Sequence, residues 1–330
     1  MRRSYVRFVP AAGIALSLGI LAAVASQFNF DSVLRIDPLY LFLAFLSSVL
    51  LLVVQGLRFK YVIDSFSGNG RFPTGESMLV RMGSQFVAMT TPGYVGGEVA
   101  RAAWLTRRGV DGGRALWLPY IEIIFDVISS NMVAFAGGAY AIATGNYLIG
   151  GVLVSLSVMI LAFILLVVRF SRKEDIRVPG LVIGLSRRAL GEKRSSWLVE
   201  RGDRFLAEFR NASRVSLSWK NARQLLWISA YTAVMVVLTG ACLFFVTAGL
   251  SLKLGLPAAL FIVFVSIVLG NIPVTLGGSG MVEVSVYYYT SLVFGVASWP
   301  MVFAWRIASY ILPLFITGGA ANVALHKYAR

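Results

Sequence analysis

Ser84 to Leu105 reads SQFVAMTTPGYVGGEVARAAWL, a stretch nearly long enough to cross a bilayer but broken at its centre by Pro92, Gly93, Gly96 and Gly97. Two charges, Glu98 and Arg101, follow at once. Proline removes a backbone donor and paired glycines loosen a helix, so peptide groups are left without helical partners. At membrane depth such a break survives only against protein or a water-filled cavity. The pattern returns later in the chain: Pro273, then Gly277 and Gly278, then Glu283. Paired interruptions at corresponding places in two halves of a membrane chain point to a transport site within an inverted repeat.

The composition agrees. Hydrophobic residues make up 58% of the chain and charged residues 14%, with a mean hydropathy of +0.77, whereas a soluble globule carries about a quarter charged residues. The sequence therefore reads as an all-α polytopic membrane protein of about six to eight transmembrane helices, including two Pro/Gly-broken, re-entrant segments. One His and one Cys are too few for a Cys/His zinc site, a Cys-His nucleophile pair or a disulfide, and Cys242 lies in an apolar run as a reduced packing thiol. No P-loop and no GxSxG elbow occur. The expectation is thus no enzyme, no cofactor and no metal. The net charge of +15 is read as a positive-inside bias with attraction to anionic lipid, not as a nucleic-acid interface.

Taken in order, residues 1–170 form an N-terminal membrane half, 171–224 a basic cytoplasmic loop, and 225–330 a C-terminal membrane half. The first half opens with Arg2, Arg3 and Arg7 before an apolar run from Phe8 to about Ala25, read as an uncleaved helix with its N-terminus inside. A second span, about Leu39 to Gly56, is closed by Arg58 and Lys60. The first broken segment, 84–105, has basic flanks on both sides, which makes it a re-entrant hairpin or a tilted pair of half-helices. Arg81, in its first arm, should face protein, a cavity or a lipid phosphate. The next span, about Ala115 to Ala143, carries Glu122, Asp126 and Ser130 along one face. Two readings of these acids stand side by side: a functional site, or an internal salt bridge to Arg81 or Arg101 that holds helices together. A further span covers about Tyr147 to Val168.

The loop from Ser171 to Gln224 holds 13 Lys/Arg against 6 Asp/Glu, with Trp197, Leu198, Phe205, Leu206 and Phe209 at roughly helical intervals. That pattern fits amphipathic helices on an anionic leaflet, chiefly keeping the loop inside. After a span at about Leu225 to Gly249 comes the second broken segment, 257–284. Charge leaves two arrangements open for 257–297, a re-entrant hairpin or full crossings. All basic residues except Arg35, Lys253, Arg81 and Arg306 are read as cytoplasmic, so both termini lie inside a cell (plasma or inner) membrane.

The segments PGYVGGEVAR (Pro92 to Arg101) and IPVTLGGSGMVE (Ile272 to Glu283), with the terminal Arg306, Tyr310 and Pro313, resemble the flippase-like family that includes the transmembrane region of lysylphosphatidylglycerol synthases. QGLRF around Arg58, and Glu122 with Asp126, agree more weakly. The sequence departs from that pattern at Ile123 and Gln85. The resemblance implies movement between leaflets of an anionic phospholipid, an aminoacylated phosphatidylglycerol or a polyprenyl-phosphate-linked lipid, with a separate lipid-modifying enzyme as a partner. The expected lipid-binding residues are Arg81, Gln85, Thr91, Gly96, Gly97, Glu98, Arg101, Glu122, Asp126, Asn271, Gly277, Gly278, Glu283, Arg306 and Tyr310. Half-helix N-termini at the breaks would offer free N–H groups to a phosphate. The rival readings are an ion-coupled small-solute transporter and a membrane-embedded lipid transferase with Glu98 or Glu283 as base.

Overall fold

The computed structural model describes residues 36–91, 96–171, 183, 192–270, 280–292, 295 and 299–328. The helix expected before residue 26 lies outside them, as do Asn271, Gly277 and Gly278. Among the described residues every regular element is helical. Four helices among these residues are long and apolar enough to cross a membrane: Pro38–Phe66, Gly112–Ala143, Trp219–Gly249 and Trp299–Lys327.

The first of these, α1 (Pro38–Phe66), starts where Asp37 accepts from the Leu39 N–H at 2.9 Å and Pro38 opens the first turn. It runs ten residues past Gly56, the end expected from hydropathy, because its late charges are neutralised within the protein. Lys60 pairs with Asp64 one turn on, and Arg58 meets carboxylates of a neighbouring helix. Arg58 is therefore not a solvent-facing flanking charge; the side chain is fully buried.

The first broken segment is a hairpin of α2 (Thr74–Met89) and α3 (Gly97–Arg107). At 16 and 11 residues, the arms span about 24 and 16 Å, short of the roughly 30 Å hydrocarbon core. Both return to one end of the molecule, where Glu76 near the start of α2 accepts from Trp104 Nε1 at 3.0 Å and pairs with Arg108. The arms can lie this close because Gly97 lacks a side chain: a Cβ there would stand 2.7 Å from the Ser84 carbonyl oxygen. Gly96 turns the chain with φ +127°, a conformation that glycine adopts freely.

The long helix α4 (Gly112–Ala143) follows and turns through Gly145 into α5 (Tyr147–Ser171). α5 returns along α4 with Gly150 against the Gly138 carbonyl. Across the start of α4 lies α6 (Glu192–Ser216). Its Phe209 ring meets Trp117 edge-on at 5.1 Å, Glu208 accepts from the Gly113 N–H at 2.9 Å, and Ser216 accepts from Trp117 Nε1 at 2.7 Å. Phe205 and Phe209 of the basic loop thus pack in part on protein.

The second half repeats this order. α7 (Ala222–Gly249) corresponds to α1, and α8 (Leu256–Gly270) with α9 (Met281–Leu292) corresponds to the first hairpin. The final span, made of α10 (Trp299–Arg306), a π-helical turn (Ile307–Ile311) and α11 (Leu312–Tyr328), corresponds to α4. α8 and α9, of 15 and 12 residues, are each too short to cross alone, and their ends meet through Phe261 and Tyr289. The choice left open by charge is thereby made: a hairpin followed by one crossing.

α1 and α7 run antiparallel, as corresponding helices of an inverted repeat do. Along α1 and α7, Asp37 N–H donates to Gly249 O at 3.1 Å, Ser48 reaches Cys242 at 3.5 Å, and Arg58 reaches Thr232 at 2.9 Å. The exchange continues between halves, with α2 packed on α11 and α8 on α4. Gly83 fits against the backbone of Ala321, and Gly137 admits the Phe261 ring.

The two hairpins should enter from opposite faces. In a Cys242→Ser background, Thr74→Cys and Thr106→Cys should both label with a membrane-impermeant maleimide from the same side, and Lys253→Cys only from the other. Labelling of Thr74→Cys and Thr106→Cys from opposite sides would contradict the hairpin.

Candidate functional site

Four helices each turn a pair of polar residues, one helical turn apart, toward a common point: Gln55 and Arg58 from α1, Arg81 and Gln85 from α2, Glu98 and Arg101 from α3, Glu122 and Asp126 from α4. Glu122, 1% exposed, is at the centre. One oxygen takes Arg58 Nε at 3.3 Å; the other takes Arg101 Nη1 and lies 3.8 Å from Arg81 Nε. Arg58 also grips both oxygens of Asp126, at 2.5 and 2.8 Å. Arg101 reaches Glu98 at 3.3 Å and lies over the Phe59 ring.

Three guanidiniums and three carboxylates give this network no formal net charge, but its members are unequally satisfied. Arg58 and Arg101 each hold two carboxylates. Arg81 is 6% exposed, donates from Nη1 to the neutral Gln85 at 2.9 Å, and has an Nε with no hydrogen-bond partner among the described residues. It is the under-coordinated cation of the set.

A second constellation joins the two hairpins. Arg306 Nε lies 2.7 Å from Glu283 at the start of α9, and its guanidinium stands 4.0 Å over the Tyr310 ring. The Tyr310 hydroxyl in turn donates to the Met89 carbonyl at the tip of the first hairpin, at 2.9 Å. Arg306 precedes the π-helical turn and Tyr310 lies within it, a local widening often found at functional positions. Both are buried.

Of the N–H groups expected at the half-helix N-termini, one at each break already meets a carboxylate of the chain. Glu98 accepts from the Gly96 N–H at 3.3 Å, and Glu283 accepts from the Gly280 N–H at 2.7 Å. At each break a carboxylate of the chain occupies the positive end of the second arm, and each of these carboxylates also meets an arginine. The network likewise resolves the two readings of Glu122 and Asp126 in one respect: both are engaged in ion pairs between helices.

Two cavities border the network. The smaller, about 180 Å³, is lined by Arg81, Gln85, Glu98, Arg101 and Glu122. The larger, about 330 Å³, lies between the repeats and reaches Thr232, Trp305, Arg306, Ser309 and Tyr310. Gln55, Gln85 and Asp126 line both, so the cavities adjoin. Among the expected site residues, Thr91 stands apart: its hydroxyl bonds back to the carbonyls of Val87 and Ala88 and finishes α2. Gly96 shapes the turn and Gly97 lines the smaller cavity. Sequence reasoning took Arg58 for a flanking charge and passed over Gln55, Thr232, Trp305 and Ser309. For Gln55 and Arg58 a signal existed, polar residues three apart within one helix; for Thr232 there was none. Among the described residues no three His, Cys, Asp or Glu side chains converge as a metal site.

A family model described as the lysylphosphatidylglycerol synthase TM region matches residues 11–317. A UPF0104 membrane protein of Archaeoglobus fulgidus is 27% identical over 333 aligned positions, covering 96% of this chain and 97% of its own.

Removing a carboxylate that holds several buried arginines should cost more than removing the cation it holds least. Glu122→Gln should lower stability by about 3–5 kcal/mol, read as a fall in Tm in detergent. Arg81→Gln should cost far less. Equal losses would place Arg81 among the structural ion pairs.

Proposed function

From the premise that this chain belongs to the family of the lysylphosphatidylglycerol synthase TM region, we propose that it moves the head group of an anionic lipid between leaflets. The reading rests above all on Arg81, a buried and under-coordinated guanidinium facing a cavity between re-entrant hairpins that run in opposite senses. An unaided head group must shed its hydration to cross about 30 Å of hydrocarbon. A polar cavity at the meeting point of the two hairpins lowers that barrier while the acyl chains stay in lipid.

Each part has a role in this proposal. Arg81 and Gln85 receive the phosphate, with guanidinium geometry suited to its oxygens. Arg58, Arg101, Glu98, Glu122 and Asp126 keep the cavity polar and held open from four helices. Arg306 and Tyr310 tie the hairpin tips together, so that access from either face is governed at the Met89 and Glu283 ends. The protein uses no nucleotide and changes no covalent bond; a separate enzyme makes the lipid it moves. It acts in the cell membrane with both termini inside.

Leaflet exchange of acyl-labelled anionic phospholipid in reconstituted vesicles tests this. Wild-type protein should accelerate exchange, and Arg81→Gln, folded by Tm, should reduce the rate at least tenfold. Equal rates in protein-containing and empty vesicles would remove the transport reading. Covalently altered lipid after incubation would favour a transferase.

A further inference from the structure

Beside Arg81 the larger cavity holds polar groups of a different kind, and they suggest what the rest of the head group is. Gln55 Oε1, Trp305 Nε1 and Ser309 Oγ are buried atoms without a hydrogen-bond partner among the described residues, and all three residues line this cavity. Trp305 is only 3% exposed. A buried unpaired donor or acceptor is costly, and its retention in a cavity points to a ligand that satisfies it. The indole N–H is a donor only, the serine hydroxyl donates or accepts, and the carboxamide oxygen accepts. Vicinal hydroxyls, which both donate and accept, complement that set.

Charge narrows the class further. Among the described residues every carboxylate bordering either cavity is paired: Asp126 with Arg58, Glu122 with Arg58 and Arg101, Glu98 with Arg101. None is left for an ammonium group. The network around Arg81 is neutral as a whole, and Arg81 has only a long contact, 3.8 Å, to a carboxylate that Arg58 and Arg101 hold more closely, with no hydrogen bond at its Nε among the described residues. That matches the single charge of a phosphodiester better than the charge of about −1.5 to −2 on a phosphomonoester.

Resting on the transport reading, we infer that the site selects a phosphodiester lipid whose head is neutral and hydroxylated, a glycerol or a sugar. Phosphate sits on Arg81 and Gln85 in the smaller cavity, and the hydroxyls meet Gln55, Trp305 and Ser309 in the larger. Heads bearing an ammonium (choline, ethanolamine, aminoacyl-glycerol) and the bare phosphomonoester are disfavoured.

The test uses acyl-labelled phosphatidylglycerol, phosphatidylethanolamine, phosphatidylcholine, lysylphosphatidylglycerol and phosphatidic acid in vesicles, with binding of short-chain forms measured separately in detergent. Phosphatidylglycerol should exchange and bind at least tenfold better than the other four. Trp305→Phe with Ser309→Ala, which remove the indole N–H and the hydroxyl, should bring that preference to within about twofold in folded protein; if the pair fails to fold, Gln55→Leu alone should narrow it. Exchange without preference overturns the head-group assignment and leaves transport standing. Preferential binding without exchange supports the assignment and removes transport. Absence of preference in both measurements, or an unchanged preference in the folded variants, overturns the assignment.

Discussion

Glu122 holds three arginines from three other helices, and the arrangement of the first half depends on that meeting. A carboxylate at 1% exposure is strongly disfavoured alone, and so is each buried guanidinium. Together they fix where α1, α2, α3 and α4 stand relative to one another, because no helix can shift without leaving a charge unpaired. Thr232 extends the tie across the repeat boundary through Arg58. Such a network specifies one arrangement more than it adds stability: its attraction largely offsets the desolvation of its members.

The same logic recurs in smaller form in the second half. Glu283 turns back on the Gly280 N–H as Glu98 does on Gly96, and each meets an arginine. In the first half that arginine lies in the hairpin itself, at Arg101. In the second it comes from the final span, at Arg306, whose neighbour Tyr310 reaches the opposite hairpin. The repeats are therefore alike in backbone order and unlike in wiring. The asymmetry leaves the ionic network in one half and the hydroxyl-rich cavity between the two.

Glycine and small residues let this happen by removing bulk where backbones meet. Gly97 lets the first hairpin close, and Gly83 lets α2 lie on α11. The hairpin arms are too short to cross, and the two cavities lie where described residues of the arms meet those of the long helices. Buried polar groups in that space are coherent with a protein that handles a head group and leaves the hydrophobic tails to the bilayer.

The amino-acid order by itself determined the helical membrane class and the two Pro/Gly interruptions, and pointed to an inverted repeat, since hydropathy and Pro/Gly punctuation are local properties of the chain. It also marked Arg81, Arg101, Glu122, Asp126, Arg306 and Tyr310, because a charge or a tyrosine phased within an apolar run is visible without coordinates. It misread Arg58 for a related reason: hydropathy falls where charges begin, although α1 continues and Glu122 and Asp126 neutralise the charge from 64 and 68 residues away. Which arginine holds which acid, the carboxylate on each half-helix end, and the choice of a hairpin over two crossings were decided only by tertiary structure. Those depend on distances between residues far apart in the chain, and nothing in the order of residues encodes such distances until helices pack.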